Sequence, residues 1–541
     1  MHLEHIEIVN FRGICRLNID LENETTVLFG ENAWGKTSLV EALSSVLGNR
    51  PLTEADFYRI TLGKAPIARR LGITLRFGGT PLADLEQAGW RDERGAFHVA
   101  LAISAKRVVR GRIRITQRFL GPDGRELLLA GPEASRLAEH LVKAHPLLVF
   151  RELRLADWML APVAAHGTEI REDPAEAVGR IFERMLTSPH QVHPDELSRG
   201  LEALHRLAER RPDLFRSLPA ATGQHLRRAQ DMADTPLNMH DGKTLGDLAS
   251  RAGAGMRQVA LLALMGAMLK AEAEAPRVQG AQPILVLEDP ETHLHPIQLA
   301  TAWNLISQLP VQKLVTTTRG ELLAGQPSRA LRRLVRRPDH VEVFPREQRA
   351  MSAHHARRVA FHVRTHRAEA LFARGWLLVE GETEAWLIPE LARIWGLNFP
   401  LEGISCVEFA QAGLAPLIAF ADRFGIPWHV LTDGDEAGRS YVAKTRHLLK
   451  GRSEARHVTQ LADKDIEHAL WQAGYDDVFR SVAHWWQGPQ DAAAIIPRAI
   501  HRATKPGLAL ELAEAVGQRG PAGVPPALRK MFAMLRRMAQ R

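Results

Sequence analysis

The chain has 541 residues, 45% hydrophobic and 24% charged, with a formal charge of +8 and only Cys15 and Cys406 as thiols. That length exceeds the roughly 100–200 residues of one domain, and the composition excludes a disordered, fibrous or disulfide-stapled protein, so two or three soluble units are expected. No apolar run reaches the ~20 residues of a membrane span, and His2, Glu4, His5 and Glu7 stand where a signal peptide would be apolar; a cytoplasmic protein with no membrane partner is expected.

In chain order, His5-Ile-Glu-Ile-Val-Asn-Phe-Arg-Gly alternates apolar and polar residues as a half-buried strand does, and residues 25–29 form a second short apolar strand. Gly30-Glu-Asn-Ala-Trp-Gly-Lys-Thr follows directly, before helical text at 38–46. A strand, a glycine-rich loop and a helix in this order form a phosphate cradle: the glycines let backbone N–H groups close on phosphate oxygens. Lys36 reaches the β/γ-phosphates and the Thr37 hydroxyl sits on Mg²⁺. Gly30, Asn32, Gly35, Lys36, Thr37 and Ser38 are therefore the nucleotide-binding candidates.

Residues 71–129 predict antiparallel sheet, with turns at Gly78-Gly and at Gly121-Pro-Asp-Gly. Helical spacing at 174–235 predicts an insertion. Sheet text returns at 284–287 and 313–317, so a first domain is expected over 1–173 and 236–346, followed by a basic connector at 347–374 and a second α/β domain at 375–541. Arg329, Arg332, Arg333, Arg336 and Arg337 suit either a polyanion or a solvated helix face. Ile284-Leu-Val-Leu-Glu-Asp-Pro-Glu ends an apolar strand in carboxylates: Glu288 is placed near Mg²⁺ and Asp289 beside the attacking water. His293 and His295 suit capping or packing better than metal binding.

Phe11-Arg-Gly, the phosphate loop and this acidic strand together resemble the ABC-type ATPases of DNA repair and chromosome maintenance. The resemblance extends loosely to Ser250-Arg-Ala-Gly-Ala-Gly, and it implies that Ser250, Gly253 and Gly255 reach the γ-phosphate of a second subunit; an ordinary glycine turn before a helix is the alternative. Where those ATPases usually carry a switch histidine, this chain has Thr316-Thr-Thr-Arg, which departs from the pattern.

The second domain repeats one design twice. Trp376-Leu-Leu-Val-Glu-Gly-Glu-Thr-Glu is a strand ending in Glu380, with Glu384 a helical turn on; Trp428-His-Val-Leu-Thr-Asp-Gly-Asp ends in Asp433 and Asp435, whose alternate positions can converge at a strand end. Carboxylates gathered at the carboxyl edge of a parallel sheet suit divalent cations, which neutralise phosphate charge and lower the pKa of a water nucleophile.

Glu-Gly-x-x-Glu followed by Asp-x-Asp resembles the toprim domain. The combined chain resembles the overcoming-lysogenization-defect (OLD) family of ATP-dependent endonucleases. The fold implied is α/β: an ABC-type P-loop ATPase domain with a helical insertion, followed by a Rossmann-like toprim domain. The resemblance also implies ATP and Mg²⁺ or Mn²⁺ at both sites, a two-metal nuclease acting on DNA, dimerisation through the insertion into a homodimer or larger homo-oligomer, and phage defence with a further defence-system protein. It adds Glu467 as a metal carboxylate and Lys505 as a cation near the scissile phosphate, although an exposed helix-cap lysine explains Lys505 equally. The rival readings are an ATP-gated DNA-binding protein whose toprim domain does not cleave, and a topoisomerase, which would need Tyr58, Tyr441 or Tyr475 as nucleophile.

Overall fold

The computed structural model describes residues 1–31, 34–48, 50–59, 67–108, 112–145, 147–151, 283–292, 303, 311–324, 326–346, 359, 368–489 and 491–540. The expected insertion at 174–235, most of the connector, and Asn32, Ser250, Gly253, Gly255, His293 and His295 lie outside these. The chain divides into two compact units, Met1–Leu322 with Arg329–Val343, and Leu323–Ser328 with Phe344–Arg541.

The first unit is built on one sheet. Its strands are β1 (His2–Phe11), β2 (Ile14–Asp20), β3 (Thr25–Phe29), β4 (Arg70–Gly78), β5 (Gly89–Arg91), β6 (Phe97–Arg107), β7 (Ile113–Leu120), β8 (Leu147–Arg151), β9 (Ile284–Glu288), β10 (Gln312–Thr317), β11 (Leu331–Arg336) and β12 (Val341–Phe344). They run in the order β5-β6-β4-β1-β2-β12-β11-β3-β10-β9-β8, with β7 on β6. β1, β2, β4, β5, β6 and β7 pair antiparallel, whereas β3, β8, β9, β10 and β11 pair parallel. β2 is a strand the sequence reading did not assign; its Ile14, Leu17 and Ile19 are buried.

Helices α1 (Lys36–Val46) and α2 (Gly131–Ala144) contribute Leu39, Val40, Leu43, Leu137 and Leu141 to the core of this sheet. Burying each such side chain contributes about 1.5–3 kcal/mol, which holds α1 and the loop before it against the strands.

The basic run near residue 332 is corrected by the structure. Arg332, Arg333 and Arg336 lie in strand β11, not on a helix face, with Arg329 and Arg337 flanking it, and Arg332 and Arg333 are 3% and 2% exposed. Arg332 donates to the Asp20 carbonyl at 2.8 Å and pairs with Glu22 at 2.9 Å; the Arg333 guanidinium stands 5.9 Å from the Trp34 ring centre. These two arginines brace the sheet and do not face solvent.

Arg12, from the Phe-Arg-Gly opening, enters a compact charge quartet. It donates to Asp56 at 2.8 Å and faces Glu41 at 3.4 Å, while Arg50 contacts the same two carboxylates at 2.7 Å each. The quartet ties β1 to α1 and to the turn at 54–56.

In the second unit, β13 (Gly375–Val379), β14 (Ile404–Glu408), β15 (Trp428–Thr432) and β16 (Val458–Gln460) form an all-parallel sheet in the order β14-β13-β15-β16. The helices used below are α3 (Glu382–Trp395), α4 (Leu414–Arg423), α5 (Glu436–Leu448), α6 (Ile466–Leu470), α7 (Asp476–Ala483), α8 (Ala492–Arg519) and α9 (Pro526–Ala539). All five residues of β13 and of β15 are buried, as strands covered on both faces require. Among the described residues, no helix is long and apolar enough to cross a membrane.

The quartet makes a prediction. Burial alone would raise the Asp56 pKa, but hydrogen bonds from Arg50, the Thr53 amide and Arg12 outweigh it and hold the carboxyl below its ordinary value. Its stability contribution is therefore present above the unfolded pKa and lost as pH falls through the folded one. Arg50→Met leaves Asp56 and Glu41 to Arg12 alone and should destabilise the first unit by roughly 3 kcal/mol. Urea titrations of both proteins at pH 7 and pH 3 should show this gap shrinking in acid; a gap that does not change with pH would contradict the assignment.

Candidate active sites

Parallel strands β3, β10 and β9 are neighbours in register, with Phe29 beside Thr317 and Thr316 beside Glu288. Their carboxyl ends therefore deliver the Gly30–Thr37 loop, Thr316–Thr318 and Glu288–Glu291 to one place. Two glycines are sterically required there. A Cβ on Gly30 would meet the Leu334 carbonyl at 2.7 Å, and Gly35, at φ 99°, caps α1 in the left-handed region.

Lys36 is 2% exposed. Its Nζ donates to the carbonyls of Gly30 and Glu31. Burial lowers its pKa, opposed by the charges of Asp289, Glu291, Glu288 and Glu31, which places this ammonium among the acids of the β9 loop. Thr37 and Ser38 follow in the first turn of α1, exposed and half-buried.

Asp289 takes a left-handed φ of 44°, a conformation that costs about 1–3 kcal/mol outside glycine unless its surroundings enforce it. Here Thr316 enforces it: the Asp289 amide donates to the Thr316 carbonyl and hydroxyl oxygen at 3.1 Å, and that hydroxyl lies 3.2 Å from Asp289 Oδ1. The next threonines hold Glu291. It accepts from the Thr317 hydroxyl and the Thr318 amide at 2.8 Å, while its buried Oε2 has no hydrogen-bond partner among the described residues. Burial pushes the Glu291 pKa up, with the Asp289 charge adding to it. The threonines that replace a switch histidine thus seat two carboxylates. Glu291 was not singled out from the sequence, although it stands within the quoted Glu-Asp-Pro-Glu.

The second site lies at the carboxyl ends of β13 and β15. Glu380 leaves β13 and Asp433 leaves β15, while Asp435 caps α5 by accepting from the Gly438 amide at 2.7 Å. Glu384, 8% exposed, accepts from the Gly381 amide at 3.1 Å and so caps α3. The Asp-Gly-Asp-Glu-Ala-Gly turn depends on both glycines: a Cβ on Gly434 would lie 2.3 Å from the Asp463 carbonyl oxygen, and one on Gly438 would lie 2.0 Å from that of Asp433.

The electrostatics are one-sided. Asp433 is pushed up to about 8 by burial first and then by Glu384, Glu380, Asp465 and Glu467. Burial likewise raises Glu380, with Asp435 and Glu384 adding to it, and raises Glu467, with Asp465 and Glu384 adding. Lys505 opposes the rise of both Glu380 and Glu467. It is exposed and follows Thr504, whose φ of 62° and ψ of 162° break α8 there, so Lys505 opens the helical segment beyond the break, a position that suits a helix-end lysine as well as a phosphate contact. Asp465, which caps α6 and contacts His468 Nδ1 at 2.5 Å, joins the cluster and was not singled out from the sequence.

Among the described residues, no three His, Cys, Asp or Glu side chains form a ready-made metal cage. The donor set nevertheless fits a hard divalent cation. Its donors are all carboxylate oxygens, and buried Glu380 Oε2 has no hydrogen-bond partner among the described residues. Mg²⁺ is held through one or two carboxylates and keeps several waters, so no closed cage is needed.

Residues 1–370 match the family described as "Protein of unknown function (DUF2813)", and residues 371–435 match the overcoming lysogenization defect protein-like TOPRIM domain. The chain is 36% identical over 555 residues to the uncharacterized protein YbjD of Escherichia coli strain K12, covering 98% of each. It is 30% identical over 135 residues to the DNA replication and repair protein RecF of Oceanobacillus iheyensis, which is 22% of this chain and 37% of that protein. Among solved structures, the C-terminal region of the Burkholderia pseudomallei OLD protein aligns at 22% identity over 31% of this chain and 99% of its own, with a TM-score of 0.27. An Smc head bound to the C-terminal winged-helix domain of ScpA aligns at 13% identity over 63% and 97%, with a TM-score of 0.36.

The raised Asp433 carboxyl carries a stability consequence. A folded pKa above the unfolded one means the Asp433 contribution is intact below the unfolded pKa and is lost as pH rises toward about 8. In chelator, Asp433→Asn should raise the melting temperature of the second unit little at pH 5 and by about 2–4 °C at pH 8, a shift measurable in a unit of this size. A uniform or negative shift in a pH series of calorimetric scans would refute the crowding of charge around Asp433.

Proposed function

We propose a function from the premise that the chain belongs to the DUF2813 family and continues into a toprim domain of the OLD type: it is an ATP-hydrolysing, divalent-metal-dependent endonuclease that nicks or cleaves DNA, acting in phage defence. The observation that carries the reading is the carboxylate cluster of the second unit, in which Asp433 is pushed up to about 8 and buried Glu380 Oε2 lacks a hydrogen-bond partner among the described residues. A structural domain has no use for such uncompensated charge.

In the first unit, Lys36 binds the β/γ-phosphates, the Thr37 hydroxyl and Glu288 serve Mg²⁺, and Asp289, aimed by Thr316, orients and polarises the attacking water. Glu291 raises the negative potential around Lys36. Ser250, Gly253 and Gly255 complete the site across a dimer. Glu380 and Asp433 are the principal metal carboxylates of the second unit, with Glu384, Asp435 and Glu467 around them. Divalent metal bound there supplies charge neutralisation and an activated water. Lys505 holds the scissile phosphate.

One observation favours the non-cleaving alternative: Glu384 and Asp435 both spend an oxygen on a backbone amide, as ordinary helix caps do. The test therefore uses residues without that role. Glu380→Gln with Asp433→Asn should reduce nicking of supercoiled plasmid in Mg²⁺ or Mn²⁺ to background while ATP hydrolysis persists. Lys36→Ala should abolish nucleotide binding, and Asp289→Asn should keep binding and slow phosphate release. Wild-type nicking by the Glu380/Asp433 variant would remove the nuclease, and wild-type phosphate release by both Lys36→Ala and Asp289→Asn would remove the ATPase.

A further inference from the structure

Resting on the nuclease reading, we propose that residues 484–489 and the exposed face of α8 form a track for a single nucleic-acid strand that ends at the carboxylates, with Arg498, Arg502 and Lys505 taking phosphates and Trp486 stacking on an unpaired base. The segment from 481 to 505 carries these three cations with His484 and His501, against one acid, Asp491. Asp491 is occupied as the α8 cap, accepting from the Ala493 amide at 3.0 Å.

The loop is folded onto this face. Arg498 Nε donates to the Ala483 carbonyl at 3.0 Å, and its guanidinium lies 5.5 Å from the Trp485 ring centre. Arg502 Nη2 meets His484 Nδ1 at 3.2 Å, and Trp485 Nε1 donates to the Pro489 carbonyl at 3.2 Å. Trp485 is thereby engaged, whereas Trp486, next to it in the chain, is left 74% exposed.

Arg498 and Arg502 are one helical turn apart, about 6 Å along the axis, on the scale of consecutive phosphates in an extended strand. Past Arg502 the helix breaks at Thr504, and Lys505 comes within electrostatic reach of Glu380 and Glu467. A chain of cations thus runs from an open indole to the cluster. Cations alone would suit any polyanion; the indole selects a strand whose bases are unpaired, because a duplex keeps its base faces stacked.

The test is fluorescence anisotropy of the full chain with a labelled single-stranded oligonucleotide and its duplex, in chelator, across a salt series. Trp486→Ala should weaken single-strand binding about tenfold and leave duplex binding nearly unchanged, and Trp486→Phe should restore most of it. Arg502→Gln should lower the log affinity versus log salt slope by about 0.7, one single-strand phosphate. Single-strand affinity unchanged in Trp486→Ala, an unchanged slope in Arg502→Gln, or equal binding of poly-glutamate would overturn the track. Because no metal is present, these readouts do not depend on cleavage: if the Glu380/Asp433 variant still nicks plasmid, the nuclease reading falls by that separate result.

Discussion

Like charges crowded at the ends of parallel strands are the constraint on which both sites depend. A parallel sheet aims the carboxyl ends of its strands at one edge, and acids placed there repel one another and lose solvation together. The two units meet this cost differently. In the first, Lys36 is buried among Glu288, Asp289 and Glu291, and Thr316 and Thr317 of β10 with Thr318 just after it donate to the carboxylates. In the second, Lys505, which is solvent-exposed, opposes the rise of Glu380 and Glu467, and Asp433 stays pushed up to about 8. The first site is compensated from within the chain, and the second calls for charge from outside it.

Backbone geometry makes this crowding possible. Gly30 and Gly35 let the phosphate loop pass under the Leu334 carbonyl and turn into α1, and Gly434 and Gly438 let the loop after β15 fold against the Asp463 and Asp433 carbonyls. Gly30, Gly434 and Gly438 stand where a Cβ would strike backbone atoms, which do not yield as a side chain does, and Gly35 is required by its left-handed φ of 99°. The motif glycines are accordingly demanded by packing as well as by any ligand.

Much of this was legible from residues alone. The strand at 25–29, the helix behind the phosphate loop and the acidic strand at 284–288 stand where periodicity placed them, because an apolar run bounded by glycine or acid has one reading beside a sheet. Glu380 and Asp433 were legible as strand-end acids for the same reason. Arg332 and Arg333 were not: charge in a sequence suggests solvent, and their burial depends on the carbonyl of Asp20, on Glu22 and on the Trp34 ring, all about three hundred positions away. Asp465 escaped notice, and Thr316–Thr318 were legible only as a departure from the switch-histidine pattern, because their roles arise from spatial neighbours that one-dimensional spacing does not reveal. The capping bonds of Glu384 and Asp435 were hidden similarly, since a strand-end carboxylate and a helix cap look alike in sequence.

The central claim is that the second cluster is short of positive charge that a divalent cation supplies. The most direct measurement is Mn²⁺ binding to the nucleotide-free protein, followed by the paramagnetic signal of free Mn²⁺ during titration. The account predicts saturable binding to the wild type that is lost when Glu380→Gln and Asp433→Asn are combined and retained in Lys36→Ala. Binding that is absent from the wild type, or unchanged in the combined variant, would contradict it.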